Sequence, residues 1–125
     1  MIDPSTISFE ELRARCLTTI KPDHKIPRVI HQTWKTRSVP DHWQEPQQKW
    51  KDLTEQGFLY VLWTDVDNER FIREKFPYFL DYFLGYKHGI QRADAIRPFL
   101  LFFFGGIYAD LDVAPKPCFV DYFAV

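Results

Sequence analysis

Asp110 and Asp112 stand two residues apart in "GGIYADLD", directly after the apolar run Phe99 to Phe104. On a strand, alternate residues share a face, which would put the two Cα atoms about 7 Å apart on one side. Carboxylates that close resist ionising together unless a cation sits between them. Hard oxygen donors of this kind suit Mg²⁺ or Mn²⁺. Taken alone, the pair fits a solvated strand edge equally well. Asp94 and Arg97, spaced i,i+3, share a helix face. As an isolated surface ion pair they would contribute under ~1 kcal/mol.

The elements between these residues bear on which reading holds. "GIQRADAIRPFLLFFFGG" has helical length and ends on Gly105-Gly106. "IYADLDV" then reads as a strand running back. Asp94 lies about 16 Å along a helix before the turn; Asp110 and Asp112 lie about 13 and 20 Å along a strand after it. The start of the helix and the end of the strand thus reach similar heights. Three carboxylates and a guanidinium would gather at the C-terminal edge of a parallel sheet, where α/β proteins bind ligands. Pro98 interrupts the helix, removing one backbone bond and crowding the Asp94 carbonyl, so a kink or two helical pieces are expected.

Earlier segments supply the rest of the layer. Phe9 to Leu12 reads as a short helix capped by Ser5 or Ser8. Arg28 to Trp34 and Phe58 to Asp65 read as strands, and 35–43 as a loop. Pro46 to Gln56 reads as a helix stopped by Gly57; 67–76 and 78–86 read as short helices, the first ended by Pro77. Strands alternating with helices predict an α/β architecture with a mainly parallel sheet. His31, Thr33 and Trp34 are placed at the functional edge by this reading, Trp34 fitting either a nucleobase stack or a core aromatic. Asp65 fits either that edge or a helix N-cap.

The 125 residues carry 46% apolar and 18% aromatic side chains, enough to bury one core, and a formal net charge of −1. No basic excess points to nucleic acid. Cys16 and Cys118 lack metal spacing, as do His24, His42 and His88. The longest apolar run falls well short of the ~20 residues of a membrane span, and residues 1–16 show no signal-peptide pattern. GxGxxG, P-loop and GxSxG signatures are absent.

"IPRVIHQTWKT", "LWTD", "IQRADAIR" and "GGIYADLDV" together resemble the family 32 glycosyltransferases, a DXD sugar-binding family that includes the enzymes mannosylating inositol-phosphoceramide. The resemblance covers about residues 26–115. It implies a GT-A (Rossmann-like) nucleotide-sugar-binding fold, Mn²⁺ (or Mg²⁺), a nucleotide-sugar donor with GDP-mannose expected, a lipid or glycan acceptor and retention of anomeric configuration. By the same resemblance Asp112 is the more direct metal ligand, and Asp110 contacts metal, ribose or sugar. Asp94 and Arg97 hold the donor sugar, and Thr33 and Trp34 line the nucleotide pocket. A Golgi or other endomembrane lumen is the implied setting. Pro98 departs from the family, which usually carries an aromatic there.

Residues 1–25 read as a helical extension and linker, and 26–125 as the N-terminal part of the transferase domain, an incomplete GT-A half. Further strands, acceptor loops and another metal-site residue are expected beyond it. Two other readings stand beside the enzyme. One is a catalytically inactive fragment or remnant, a donor-binding or interaction module that self-associates through exposed apolar surface. The other is a metal-dependent phosphoryl-transfer enzyme, which would require further acids or a nucleophile.

Overall fold

The computed structural model describes residues 1–22, 25–117 and 119–120; Cys118 and His24 lie outside them. The sheet is built from β1 (Val29–Thr33), β2 (Leu59–Trp63) and β3 (Ile107–Tyr108), all parallel, in the order β2-β1-β3. Central β1 pairs residue for residue with β2, from Val29 on Leu59 to Thr33 on Trp63. On its other side Ile30 pairs with Ile107 and His31 with Tyr108. The first four residues of β1 are all buried, the pattern expected where helices cover both faces of a parallel sheet. This is the expected Rossmann-like arrangement, a partial GT-A half.

On one face Val29, Val61 and Trp63 pack with α1 (Phe9–Leu17), α3 (Asp65–Lys75), α4 (Leu80–Gly85) and α5 (Gly89–Phe104). Phe9, Trp63, Phe71 and Phe104 interlock there, the Phe9 and Phe71 rings edge to face at 5.1 Å. On the other face Ile30, Tyr60 and Leu62 meet Trp50 of α2 (Asp41–Lys51), together with Leu53, Phe58 and Leu111. Residues 1–22 join this structure: Phe9, Leu12 and Cys16 are buried in the first core, and Ile2 bridges to Val61. Burial pushes the Cys16 thiol up to about 12, which leaves it protonated and unreactive.

Several boundaries differ from the sequence reading. Ser8 caps α1. Helix α2 begins at Asp41, inside the expected loop, and contains Pro46. Trp43, Gln47 and Trp50 recur at helical spacing, and the pull of the latter two into the interior outweighs the proline. Residues Asp52–Gln56 tighten to a 3₁₀ turn before Gly57, whose φ of 85° ends it. Thr64 caps α3 in a reciprocal box with Asp67, so Asp65 is its first helical residue and not its cap.

Helix α5 continues through Pro98 as one element rather than breaking in two. Both Pro98 and Asp94, whose carbonyl loses its helical partner, are exposed, which places the missing bond where water can satisfy it. Strand β3 is far shorter than expected: it ends at Tyr108, and Leu111 and Asp112 lie in a turn. Asp110 and Asp112 therefore do not alternate along a strand. The ladder closes with the Ala109 N–H donating to the His31 carbonyl at 3.0 Å. Beyond it, side chains from β1 and α2 donate to the Asp110 and Val113 carbonyls.

The connection from α5 to β3 is sterically fixed. Gly105 and Gly106 have φ of 72° and 91°. A Cβ on Gly106 would sit 2.4 Å from the Val29 carbonyl oxygen, and one on Gly105 would sit 2.7 Å from Pro27 Cγ. The same turn is held by His31, which is fully buried, so it does not face the functional edge as the sequence suggested. Trp63 Nε1–H donates to His31 Nδ1 at 3.0 Å, which leaves Nε2–H to donate to the Gly105 carbonyl at 2.9 Å. This neutral tautomer satisfies all three groups.

Two outcomes follow. Gly106→Ala combines positive φ with a backbone clash and should cost at least about 2 kcal/mol in urea unfolding; a cost under ~0.5 kcal/mol would contradict the close approach. Burial lowers the His31 pKa from 6.5 to about 4. The unfolded chain then binds the extra proton between those values, so stability is complete above about pH 6.5 and falls as pH drops toward 4. About 2 kcal/mol should be lost between pH 7 and 5, and His31→Gln should flatten that slope. An equally steep slope in the variant would contradict it.

Candidate functional site

The C-terminal ends of the three strands open into one cleft of about 470 Å³. Thr33, Trp34 and Lys35 enter it from the end of β1, Asp65 from the residues after β2, and Tyr108, Asp110 and Asp112 from β3 and its turn. Helix α5 forms the opposite wall with Ile90, Asp94 and Arg97. The Gly105-Gly106 reversal is what sets α5 beside β3. The expected meeting of Asp94, Arg97, Asp110 and Asp112 is thus present, as is the exposure of Thr33 and Trp34 to the same space.

Arg97 is the centre of this group. Its Nη2 donates to Asp110 Oδ1 at 2.7 Å and lies 3.1 Å from Asp94 Oδ1. Its guanidinium carbon stands 4.4 Å from the centroid of the Tyr108 ring, a cation–π contact. Tyr108 is fixed in turn, its hydroxyl 2.7 Å from Thr33 Oγ1. Burial raises the Tyr108 phenol above its ordinary range, so it stays protonated and able to donate that bond. The Arg97 side chain is 38% exposed, Asp94 63% and Asp110 48%. Ion pairs this wet contribute at most about 1 kcal/mol to folding, so stability alone gives little reason for the arrangement. The Arg97 Nε atom is buried without a hydrogen-bond partner.

The electrostatics favour a cation together with an anion. Four carboxylates (Asp65, Asp94, Asp110, Asp112) face two cationic side chains, Lys35 and Arg97, in the cleft. That leaves a formal excess of two negative charges, which would repel a bare diphosphate and accept one accompanied by a divalent ion. Desolvation raises the Asp65 carboxyl above its usual value, against the pull of Arg92 and Lys35. Asp112 is exposed and makes no ion pair among the described residues. Among the described residues no three His, Cys, Asp or Glu side chains form a metal cage. One or two carboxylates completed by phosphate oxygens are, however, the usual way Mg²⁺-type ions are held. The donor set present fits that pattern.

Sequence reasoning missed Lys35, Trp43 and Tyr108 as cleft residues. Trp43 packs edge to face on Trp34, centroids 4.8 Å apart, and so fixes the ring that lines the cleft. Tyr108 was legible in part, since it precedes Asp110 at strand spacing.

Known proteins resemble this chain over most of its length. It is 53% identical over 87 residues to the Saccharomyces cerevisiae mannosyl phosphorylinositol ceramide synthase SUR1, covering 70% of this chain and 22% of that one. It is 48% identical over 91 residues to CSH1 of the same organism and the same printed activity, covering 73% and 24%. It is 46% identical over 101 residues to the Schizosaccharomyces pombe inositol phosphoceramide mannosyltransferase 2, covering 81% and 29%. The chain thus spans roughly a quarter of the length of these relatives. No solved structure matches it significantly. Residues 40–122 match the family described as "Glycosyltransferase sugar-binding region containing DXD motif". The chain belongs to this glycosyltransferase family, and Asp110-Leu111-Asp112 in the cleft has the D-x-D pattern that the description names.

Proposed function

We propose that this chain is the donor-binding part of a metal-dependent mannosyltransferase acting on a sphingolipid of the inositol-phosphoceramide class. GDP-mannose is the donor, and transfer proceeds with retention of anomeric configuration. The supporting observation is the Arg97 bridge between Asp94 and Asp110, set beside Asp112 at the C-terminal edge of the sheet. The relatives' printed activities support the choice of acceptor and sugar class.

In this reading Asp112, with Asp110 beside it, holds a divalent ion, Mn²⁺ or Mg²⁺. Such an ion, when bound, stabilises the charge that grows on the leaving diphosphate. Asp94 accepts hydrogen bonds from the sugar hydroxyls. Arg97 keeps Asp94 and Asp110 at a fixed separation and has further N–H donors for the sugar or phosphate. These contributions are positional: they hold the reacting carbon where it can meet the acceptor. Trp34, held by Trp43, offers a ring face for the base. Thr33 acts through Tyr108, which supports the guanidinium from below. The acceptor class further suggests an endomembrane lumen. Among the described residues no helix is long and apolar enough to cross a membrane. Phe102, Tyr78 and Tyr82 are more than two-thirds exposed, and we propose that this surface is covered by protein, by self-association or by other parts of the enzyme.

Calorimetric titration of GDP with and without Mn²⁺ tests the donor site. Mn²⁺ should raise GDP affinity, and Asp112→Ala should lose at least about tenfold of it, since even partners of metal ligands cost that much when removed. Folding stability should stay within about 0.5 kcal/mol, because Asp112 is exposed. Metal-independent binding, or binding that survives the substitution, would contradict the assignment.

A further inference from the structure

Asp110 and Asp112 sit on a turn that the sheet ladder does not reach. Past the Ala109 N–H bond to His31, buried side chains hold its carbonyls. Gln32, fully buried on central β1, donates through Nε2 to the Asp110 carbonyl at 3.1 Å. Trp50, 4% exposed on α2, donates through Nε1 to the Val113 carbonyl at 2.7 Å. The turn's own bond runs from the Val113 N–H to the Asp110 carbonyl at 3.1 Å. Asp110 thus accepts from both Gln32 and Val113 at one oxygen.

The Gln32 amide is itself aimed. The Tyr60 hydroxyl donates to Gln32 Oε1 at 2.6 Å, and Gln47 Nε2 approaches that hydroxyl at 3.2 Å. Gln32, Gln47 and Tyr60 are all buried. With the phenol proton committed to Oε1, the amide NH₂ must point at Asp110. A relay therefore runs from α2 through β2 and β1 to the acidic turn. Burying two amides and a phenol among Ile30, Leu62 and Trp50 is unfavourable unless each finds a partner. An apolar set would fill the same space without gripping the turn.

We propose that Gln32 is a positioning residue for the acidic turn, fixing the Asp110 backbone and through it the placement of both carboxylates. The effect on the ligand-free turn stands by itself; the effect on a bound cation rests on the donor-site reading above. Gln32 touches neither substrate nor cation in this account.

Amide hydrogen exchange by NMR on the 125-residue chain tests it, with Mn²⁺ affinity from electron paramagnetic resonance as a second readout. Gln32→Met keeps the side chain's length and removes both hydrogen bonds. Exchange at the Val113 amide should quicken about five- to tenfold, as for the loss of one buried hydrogen bond. The Leu62 and Ile72 amides should keep their wild-type rates. Mn²⁺ binding should weaken by a similar factor. Tyr60→Phe, which leaves Gln32 in place and removes its orienting donor together with the acceptor of Gln47 Nε2, should shift both readouts the same way by less, and it decides the matter if Gln32→Met fails to fold. An unchanged Val113 rate, or one that rises in step with Leu62 and Ile72, would overturn the inference. A wild-type chain that binds no Mn²⁺ would overturn the donor-site reading instead, and leave the exchange rates to decide Gln32.

Discussion

Everything at the candidate site depends on the close passage of the Gly105-Gly106 turn over β1. Only a residue without a Cβ can pass Val29 at that distance, and the buried neutral imidazole of His31 meets both the Gly105 carbonyl and Trp63. This contact reverses the chain from α5 into β3. It thereby converts two residues thirteen apart in sequence, Arg97 and Asp110, into a hydrogen-bonded pair. The aromatic core around Phe104 and Trp63 backs the same turn: the His31 ring lies 5.9 Å from Phe104 and 6.2 Å from Trp63. The core and the cleft are therefore two sides of one structural decision.

Rigid support and exposed chemistry are separated by depth. His31, Gln32, Tyr60 and Gln47 are buried and satisfy one another or the backbone. Asp94, Arg97, Asp110 and Asp112 stand in the open cleft, where their mutual pairing contributes little to folding. Such a division leaves the exposed groups free to exchange partners with a ligand while the strand ends and turn below them stay fixed. The excess of carboxylates over cations in the cleft fits a charged ligand that brings its own counter-ion.

Much of this was legible in the sequence for local reasons. Helical spacing put Asp94 and Arg97 on one face, the glycine pair marked the reversal, and simple lengths along helix and strand brought Asp110 to the same height. The parallel α/β sheet followed from the alternation of β-rich and helical segments. What failed was the assumption that β3 continued to Val113. Strand alternation would have placed Asp110 and Asp112 by pleat, whereas a turn places them by side-chain bonds from Gln32 and Trp50. Those bonds cross 78 and 63 residues of chain, and no local pattern announces them. The start of α2 was obscured likewise, because Pro46 reads locally as a helix start while the burial of Gln47 and Trp50 is decided by distant strands. His31 looked like an edge residue because it was grouped with Thr33 and Trp34, although it is the middle residue of β1; its burial depends on Phe104 and Gly105, more than seventy residues away.

The central claim is spatial: the acidic turn and the first half of α5 face one donor site. Paramagnetic broadening by Mn²⁺ in the presence of GDP measures this most directly. The account predicts that amide signals of Asp110 to Val113 broaden first, that Ala93 and Asp94 follow across the cleft, and that the end of α1 around Arg13, which bonds the Phe103 carbonyl at the far end of α5, keeps its line widths. Broadening centred on any other part of the chain, or spread evenly over it, would contradict the account.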